Sequence, residues 1–183
     1  MKKVHATAML LAALALSACN SSGTDGSVFQ SMIDGAEDIH SRIGNLPQTE
    51  EDEMPIEGNA IYEGYATFWS VDNLDDENAY AMSRVSLIAN FEESLLTGSL
   101  HEFVAADDTA IGGEMSLLGG TINANGVSAS LEGSLSIGGE SSAFDGFMEG
   151  YFVGENQQGL MGGVGIGNDD MSFGGGWLAE RQP

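Results

Sequence analysis

Between Val127 and Ile137 apolar and polar positions take strict turns. Val127, Ala129, Leu131, Gly133, Leu135 and Ile137 alternate with Ser128, Ser130, Glu132, Ser134 and Ser136. Period two over this length is the pattern of a half-buried strand. Asn125-Gly126 stands just before it. Asn-Gly tolerates positive φ at both central positions of a tight turn, which predicts a hairpin to the preceding strand. Upstream, Val85, Leu87, Ala89 and Phe91 alternate with Arg84, Ser86, Ile88 and Asn90, and Leu96, Gly98 and Leu100 follow a polar Glu-Glu-Ser. That is a second hairpin. Extended along the chain, the pattern predicts eight strands, roughly 60–69, 80–91, 95–103, 111–123, 127–137, 142–154, 158–166 and 171–179.

Most of the connections are short, so neighbours in sequence should pair antiparallel. Eight such strands suit an up-and-down barrel or a sandwich. A barrel of eight has an interior that side chains nearly fill. Twenty of the 26 glycines lie at or after Gly98. Glycine in a strand permits sharp bends and close backbone approach, so the distribution favours a small, strongly curved barrel. The fold class expected is all-β: a single antiparallel eight-stranded β-barrel over 56–183. The same alternation would fit a barrel set in the outer membrane, with its apolar face to lipid. The heavy use of Ala and Gly on the apolar faces and the lack of evident aromatic girdles weigh against that version.

Ahead of the strands the period changes. Phe29, Met32, Ile33, Ala36, Ile39 and Ile43 recur at spacings of three and four, which predicts a short amphipathic helix. Ser27 with Gln30 forms a capping box, and Gly44 with Pro47 a stop. Two readings of this helix stay open: it docks on the barrel or a partner, or it is a weakly helical stalk. The stretch Gln48 to Pro55 is rich in acids and reads as a linker.

The N-terminus carries an address. Lys2 and Lys3 form a positive region, Ala6 to Ala15 an apolar run too short to span a membrane, and Leu16-Ser17-Ala18 leads into Cys19. This resembles the lipobox of bacterial lipoproteins, which implies a signal peptide over 1–18 and lipidation of Cys19 as the new N-terminus. Residues 19–55 then comprise a lipid-anchored tether, the helix and the acidic linker. One acyl chain holds a protein on a membrane only marginally, and stable anchoring needs a second. Asn20 stands where an Asp would signal retention at the inner membrane, so the expected location is the outer membrane, at the cell surface or its periplasmic face. Cys19 is the only cysteine, so a lipidated chain has no thiol for a disulfide or a Cys-based metal site.

Charge narrows the partners. From Cys19 onward there are three arginines, Arg42, Arg84 and Arg181, and no lysine, against 28 acids, a formal charge of −25. Such a surface repels phosphate backbones, so nucleic acid is not expected as a partner. Basic proteins, cations or a solvated surface remain.

The candidate chemistry is thin. Gly154 and Gly159 have the spacing of a phosphate-binding loop, but Leu160 and Met161 stand where Lys and Ser/Thr are needed. Gly162 to Gly167 has the look of a dinucleotide fingerprint without a βαβ unit, or of a calcium-binding repeat with Gly167 in place of its Asp. His40 and His101 lie on different predicted elements and cannot close a zinc site without carboxylates. Asp72, Asp75, Asp76 and Glu77, Asp107 and Asp108, and Asp169 and Asp170 fall in predicted loops without EF-hand spacing. No nucleophile, base and orienting group assemble, so no catalytic residue, metal site or cofactor is expected.

Four stretches carry a resemblance. Tyr62-Glu63-Gly64, the segment Leu87 to Leu100, the segment Gly150 to Gly163 and the closing Gly174 to Gln182 are similar to strands of the β-barrel domain of the transferrin-binding protein B family, to which the barrel of factor H-binding protein is related. The likeness covers about Ile56 to Gln182. It departs at Asn90, where the family has Asp, and at Gln157 and Gly159, which replace a small residue and an acid. A single barrel is present, against two lobes with handle domains in the transferrin receptor component. The resemblance implies the scaffold, the lipid anchor and extracellular or periplasmic capture of an unknown protein or small ligand in nutrient or host-factor acquisition, with iron or haem the first classes to consider. The alternative is a structural lipoprotein whose helix docks on an envelope partner.

Overall fold

The computed structural model describes residues 26–71 and 80–183. Helix α1 (Val28–Ile43) is followed by a 3-10 turn at Glu51–Glu53 and eight strands: β1 (Asn59–Ser70), β2 (Ala81–Asn90), β3 (Leu95–Ala105), β4 (Ala110–Asn123), β5 (Gly126–Ile137), β6 (Glu140–Val153), β7 (Gly159–Gly167) and β8 (Ser172–Arg181). Each strand pairs antiparallel with the next, and β8 returns to β1, closing the barrel. Closure pairs every strand on both sides and leaves no open edge.

The alternation read from the sequence decides which side faces in. Tyr62, Ala66 and Phe68 of β1, Val85, Leu87 and Ala89 of β2, Leu131 and Leu135 of β5 and Phe152 of β6 are buried in one continuous core. Arg84, Glu132, Asp145 and Glu149 stand on the opposite parity of their strands, on the outer wall. A barrel spanning lipid needs the reverse arrangement, so the membrane-embedded version is excluded by the direction of the faces.

Two strands outrun the simple pattern because they contain bulges. In β3 the inward row Leu96, Gly98, Leu100 would next bring Glu102 inside. Glu102 instead adopts φ 52° and the pairing with β4 slips there. An extra residue of this kind turns the strand by one position. Phe103 therefore enters the core and Val104 faces out, beneath the helix. In β4 the register shifts between Leu118 and Thr121, at Gly119 with φ 59°.

Curvature rests on inward glycines where neighbouring backbones crowd. At Gly175 a Cβ would lie 1.7 Å from the carbonyl oxygen of Thr67, an impossible approach for any other residue. Gly150 serves a side chain as well, since a Cβ there would meet Trp177 Cζ2 at 2.7 Å. The Trp177 indole thus packs against a glycine wall and donates from Nε1 to the carbonyls of Gly163 and Glu149, at 3.0 and 3.1 Å.

Helix α1 packs lengthwise on the outer wall. Met32 and Ala36 cover Met82 and Val104, while Ile39 and Ile43 cover Val153 and Leu178. Of the two readings of the helix, docking on the barrel is the observed one. The capping box forms by half: Ser27 Oγ accepts from the backbone N–H of Gln30 at 3.1 Å, whereas the Gln30 side chain turns forward and donates to Asp34.

Candidate functional site

The barrel has two unlike ends. One is plugged. The turn 154–158 joins β6 to β7, with Gly154, Asn156 and Gln157 at positive φ. The segment after α1 folds across it. Gln48 bridges Val153, the Thr49 N–H donates to Phe152 O, and Thr49 Oγ1 donates to Gly154 O at 2.8 Å. Gln157 is buried; its Nε2 donates to Glu53 O and its own carbonyl accepts from the Tyr62 hydroxyl, both at 3.0 Å. Burial pushes the Tyr62 phenol well above its ordinary range, so it acts as a fixed neutral donor. Asn125 Nδ2 adds a bond to Thr49 O. The residues with phosphate-loop spacing are therefore spent on closing the barrel.

The other end is a mouth; among the described residues it is formed by the connections after β3, β5 and β7. Tyr80 stacks on Phe173 at 5.3 Å between ring centres, above an apolar recess of about 20 Å³ lined by Phe68, Phe103, Ile111 and Phe144 among others. That is room for about one water and for no larger ligand. Asp107, Glu140, Asp169 and Asp170 are exposed around the rim. Asp108 is occupied: its Oδ1 accepts from Ser27 Oγ at 2.8 Å and from the Phe29 N–H at 2.9 Å. These two bonds, the backbone one first, hold its carboxyl below the ordinary range, and the Thr109 N–H does the same for Asp107. Among the described residues no group of His, Cys, Asp and Glu is placed to hold a metal ion. Asp72, Asp75, Asp76, Glu77 and Cys19 lie outside the described residues.

The outer wall brings together residues that the sequence left apart. Ser86 Oγ lies 3.0 Å from His101 Nε2, and His101 Nδ1 lies 3.9 Å from Glu102 Oε1. The order suggests a nucleophile, base and orienter, yet the geometry does not support catalysis. Ser86 gives its proton to Glu63 at 2.8 Å, and the Glu102 contact is too long for a hydrogen bond. The group stands on the outer face of β1, β2 and β3. His40 is on α1 and exposed. The cross-strand pairing of β2 with β3 placed Arg84 opposite His101; only a knowledge of that register would have revealed the cluster.

A shallow depression of about 270 Å³ marks the wall of β4, β5 and β6, between Gly119, Ser128, Ser130, Phe147 and Glu149. Phe147 is 56% exposed and lies across Gly165, where a Cβ would meet its ring at 2.8 Å. All three arginines are engaged: Arg42 with Asp38 and Glu180, Arg84 with Glu102, and Arg181 with the carbonyl of Asn156. The wall thus offers surplus carboxylates and isolated apolar residues.

A filled eight-stranded barrel, glycine-bent and closed by its N-terminal segment, agrees with one family. The model of the C-lobe and N-lobe beta barrels of Tf-binding protein B matches residues 54–181. The chain belongs to this family. Among solved structures, a single mutant of the vaccine antigen transferrin-binding protein B from Haemophilus parasuis Hp5 is 22% identical, with a TM-score of 0.51 over 74% of this chain and 29% of that one. A double mutant of the same antigen gives 22% identity and 0.50 over 74% and 28%. Intact Ap-TbpB, with N and C lobes, gives 19% identity and 0.53 over 74% and 28%. These likenesses show the fold. The chain spans under a third of the length of these structures. No curated protein matches it. As a transferrin-binding protein B-type barrel it is a member of a binding-protein family, and the apolar core and outward charges described above are the scaffold of such a domain.

Proposed function

We propose that this chain is a lipid-anchored cell-envelope protein that captures a protein ligand on its outer surface. The observation that carries the reading is the filled barrel of a binding-protein family. With Tyr62, Phe68, Phe152 and Trp177 packed inside, recognition falls to the walls and loops. A face large enough for useful affinity is then one made with another macromolecule. The charge of −25 from Cys19 onward selects a basic partner. The solved relatives are named for transferrin, which makes transferrin the first protein to test here, ahead of haem or iron alone. Cys19 carries the anchor in this reading, and the outer membrane is its place. No helix of the described residues is long and apolar enough to cross a membrane. The domain that binds is 56–183, and no chemistry is assigned to it.

The alternative, in which α1 docks on an envelope partner, has less in its favour. Met32, Ala36, Ile39 and Ile43 are already covered by the barrel, and only Val28 is left largely exposed among the helix's apolar residues.

Calorimetry of the full chain against transferrin, a panel of basic secreted proteins, haem and ferric iron tests the proposal. Binding of a protein that weakens steeply with salt is expected. Binding of haem or iron with indifference to every protein would overturn it.

A further inference from the structure

The path of α1 says which end of the barrel meets the membrane. Ser27 is fastened to Asp108, in the β3–β4 connection at the mouth. Sixteen residues later Ile43 packs on Val153 and Leu178, and Arg42 grips Glu180 with two bonds at 2.8 and 2.7 Å, all at the plugged end. At 1.5 Å per residue the helix covers about 24 Å along the wall. The chain therefore enters the fold at the mouth.

We infer that the mouth of the barrel faces the lipid bilayer and that the plugged end faces outward to the partner. The inference rests on lipidation of Cys19. From Cys19 to Ser27 there are eight residue steps, at most about 28 Å when fully extended. A Gly/Ser-type tether of this length has a typical span of about 16 Å. For the plugged end to rest on the bilayer, Ser27 must rise about 24 Å above it, which uses nearly all of that reach. With the mouth downward that reach is not needed. Asp107, Glu140, Asp169 and Asp170 on the rim then face the lipid. Their repulsion from anionic headgroups acts over about 8 Å in physiological salt, so the mouth hovers near the surface and does not adhere to it.

The experiment uses the lipidated full chain in vesicles of phosphatidylethanolamine and phosphatidylglycerol. Cys19 is consumed by its modification, so a second cysteine is unique. Asp169→Cys labels the mouth and Glu155→Cys the plugged end; both positions are exposed. Energy transfer from each fluorophore to an acceptor-labelled lipid is expected to be several-fold greater from position 169. Inserting a long Gly/Ser segment between Gly26 and Ser27 should erase the difference. Equal or reversed transfer in vesicle-bound protein overturns the inference, and so does a difference untouched by the insertion. A chain that fails to float with the vesicles removes the anchor and the orientation together, and flotation tells that outcome apart from the others.

Discussion

Gln157 shows how far a single residue can depart from its local appearance. In sequence it is one of several polar residues in a turn, between Asn156 and Gln158. In the fold it is 2% exposed and bonded to Glu53 O, while its carbonyl takes the Tyr62 hydroxyl. Gln157→Ala removes the hydrogen bond to the Glu53 carbonyl, a loss of about 0.5–1.5 kcal/mol. Urea unfolding should report the loss, and hydrogen exchange at the Thr49 amide should accelerate. Gly150→Ala is a sharper test of the core. The added methyl meets Met161 O at 2.4 Å and Trp177 at 2.7 Å. Overpacking of this kind costs about 1–3 kcal/mol, and a fall in Tm with altered tryptophan emission is the expected readout. The burial of Phe152 and Val164 could be read from alternation. That of Thr49 and Gln157 could not, because their partners lie about a hundred positions away.

At the scale of the element, the helix is the instructive case. Of the six apolar positions that its spacing marked, Met32, Ala36, Ile39 and Ile43 are buried, and Phe29 and Ile33 are half-buried against the same wall. What they would bury against was invisible, since Met82, Val104 and Leu178 sit outward on strands whose partners inside look alike in sequence. Ile43→Ala should cost about 2–5 kcal/mol, whereas Val28→Ala, at a position 56% exposed, should stay within about 0.5. Paired chemical denaturation separates the two. The N-terminal end of the helix is pH-sensitive in a defined direction. Asp108 has a folded pKa below its unfolded value, so its contribution is present above the unfolded pKa, about 4, and is lost as pH falls through the folded pKa. Asp108→Asn should therefore lower Tm at neutral pH, and the gap to the native protein should close in acid. A gap that persists unchanged in acid would contradict this account.

For the whole molecule, the excess of acids is the dominant property. From Cys19 onward, 28 carboxylates against three arginines repel one another across the molecule. Added salt screens that repulsion, so Tm should rise with sodium chloride over the range in which partner binding weakens. The two opposite trends, measured on one sample, separate self-repulsion from recognition. Anchoring is tested at this scale too: Cys19→Ser is expected to move the protein from the membrane to the soluble fraction.

Alternation of period two, a helical stripe and the glycine excess were enough to determine eight strands, their antiparallel order and one helix, because each is a local pattern repeated along the chain. The inward rows followed from the same parity, except past Glu102 and Gly119, where a bulge resets it. Tertiary structure alone decided the rest. It folded the acidic segment after α1 into a plug, brought Ser86 beside His101 on the outer wall, and tied Ser27 to the mouth. Each of these depends on a contact between residues distant in the chain, or on a strand register, and a periodic signal carries no information about which distant residue will be the partner.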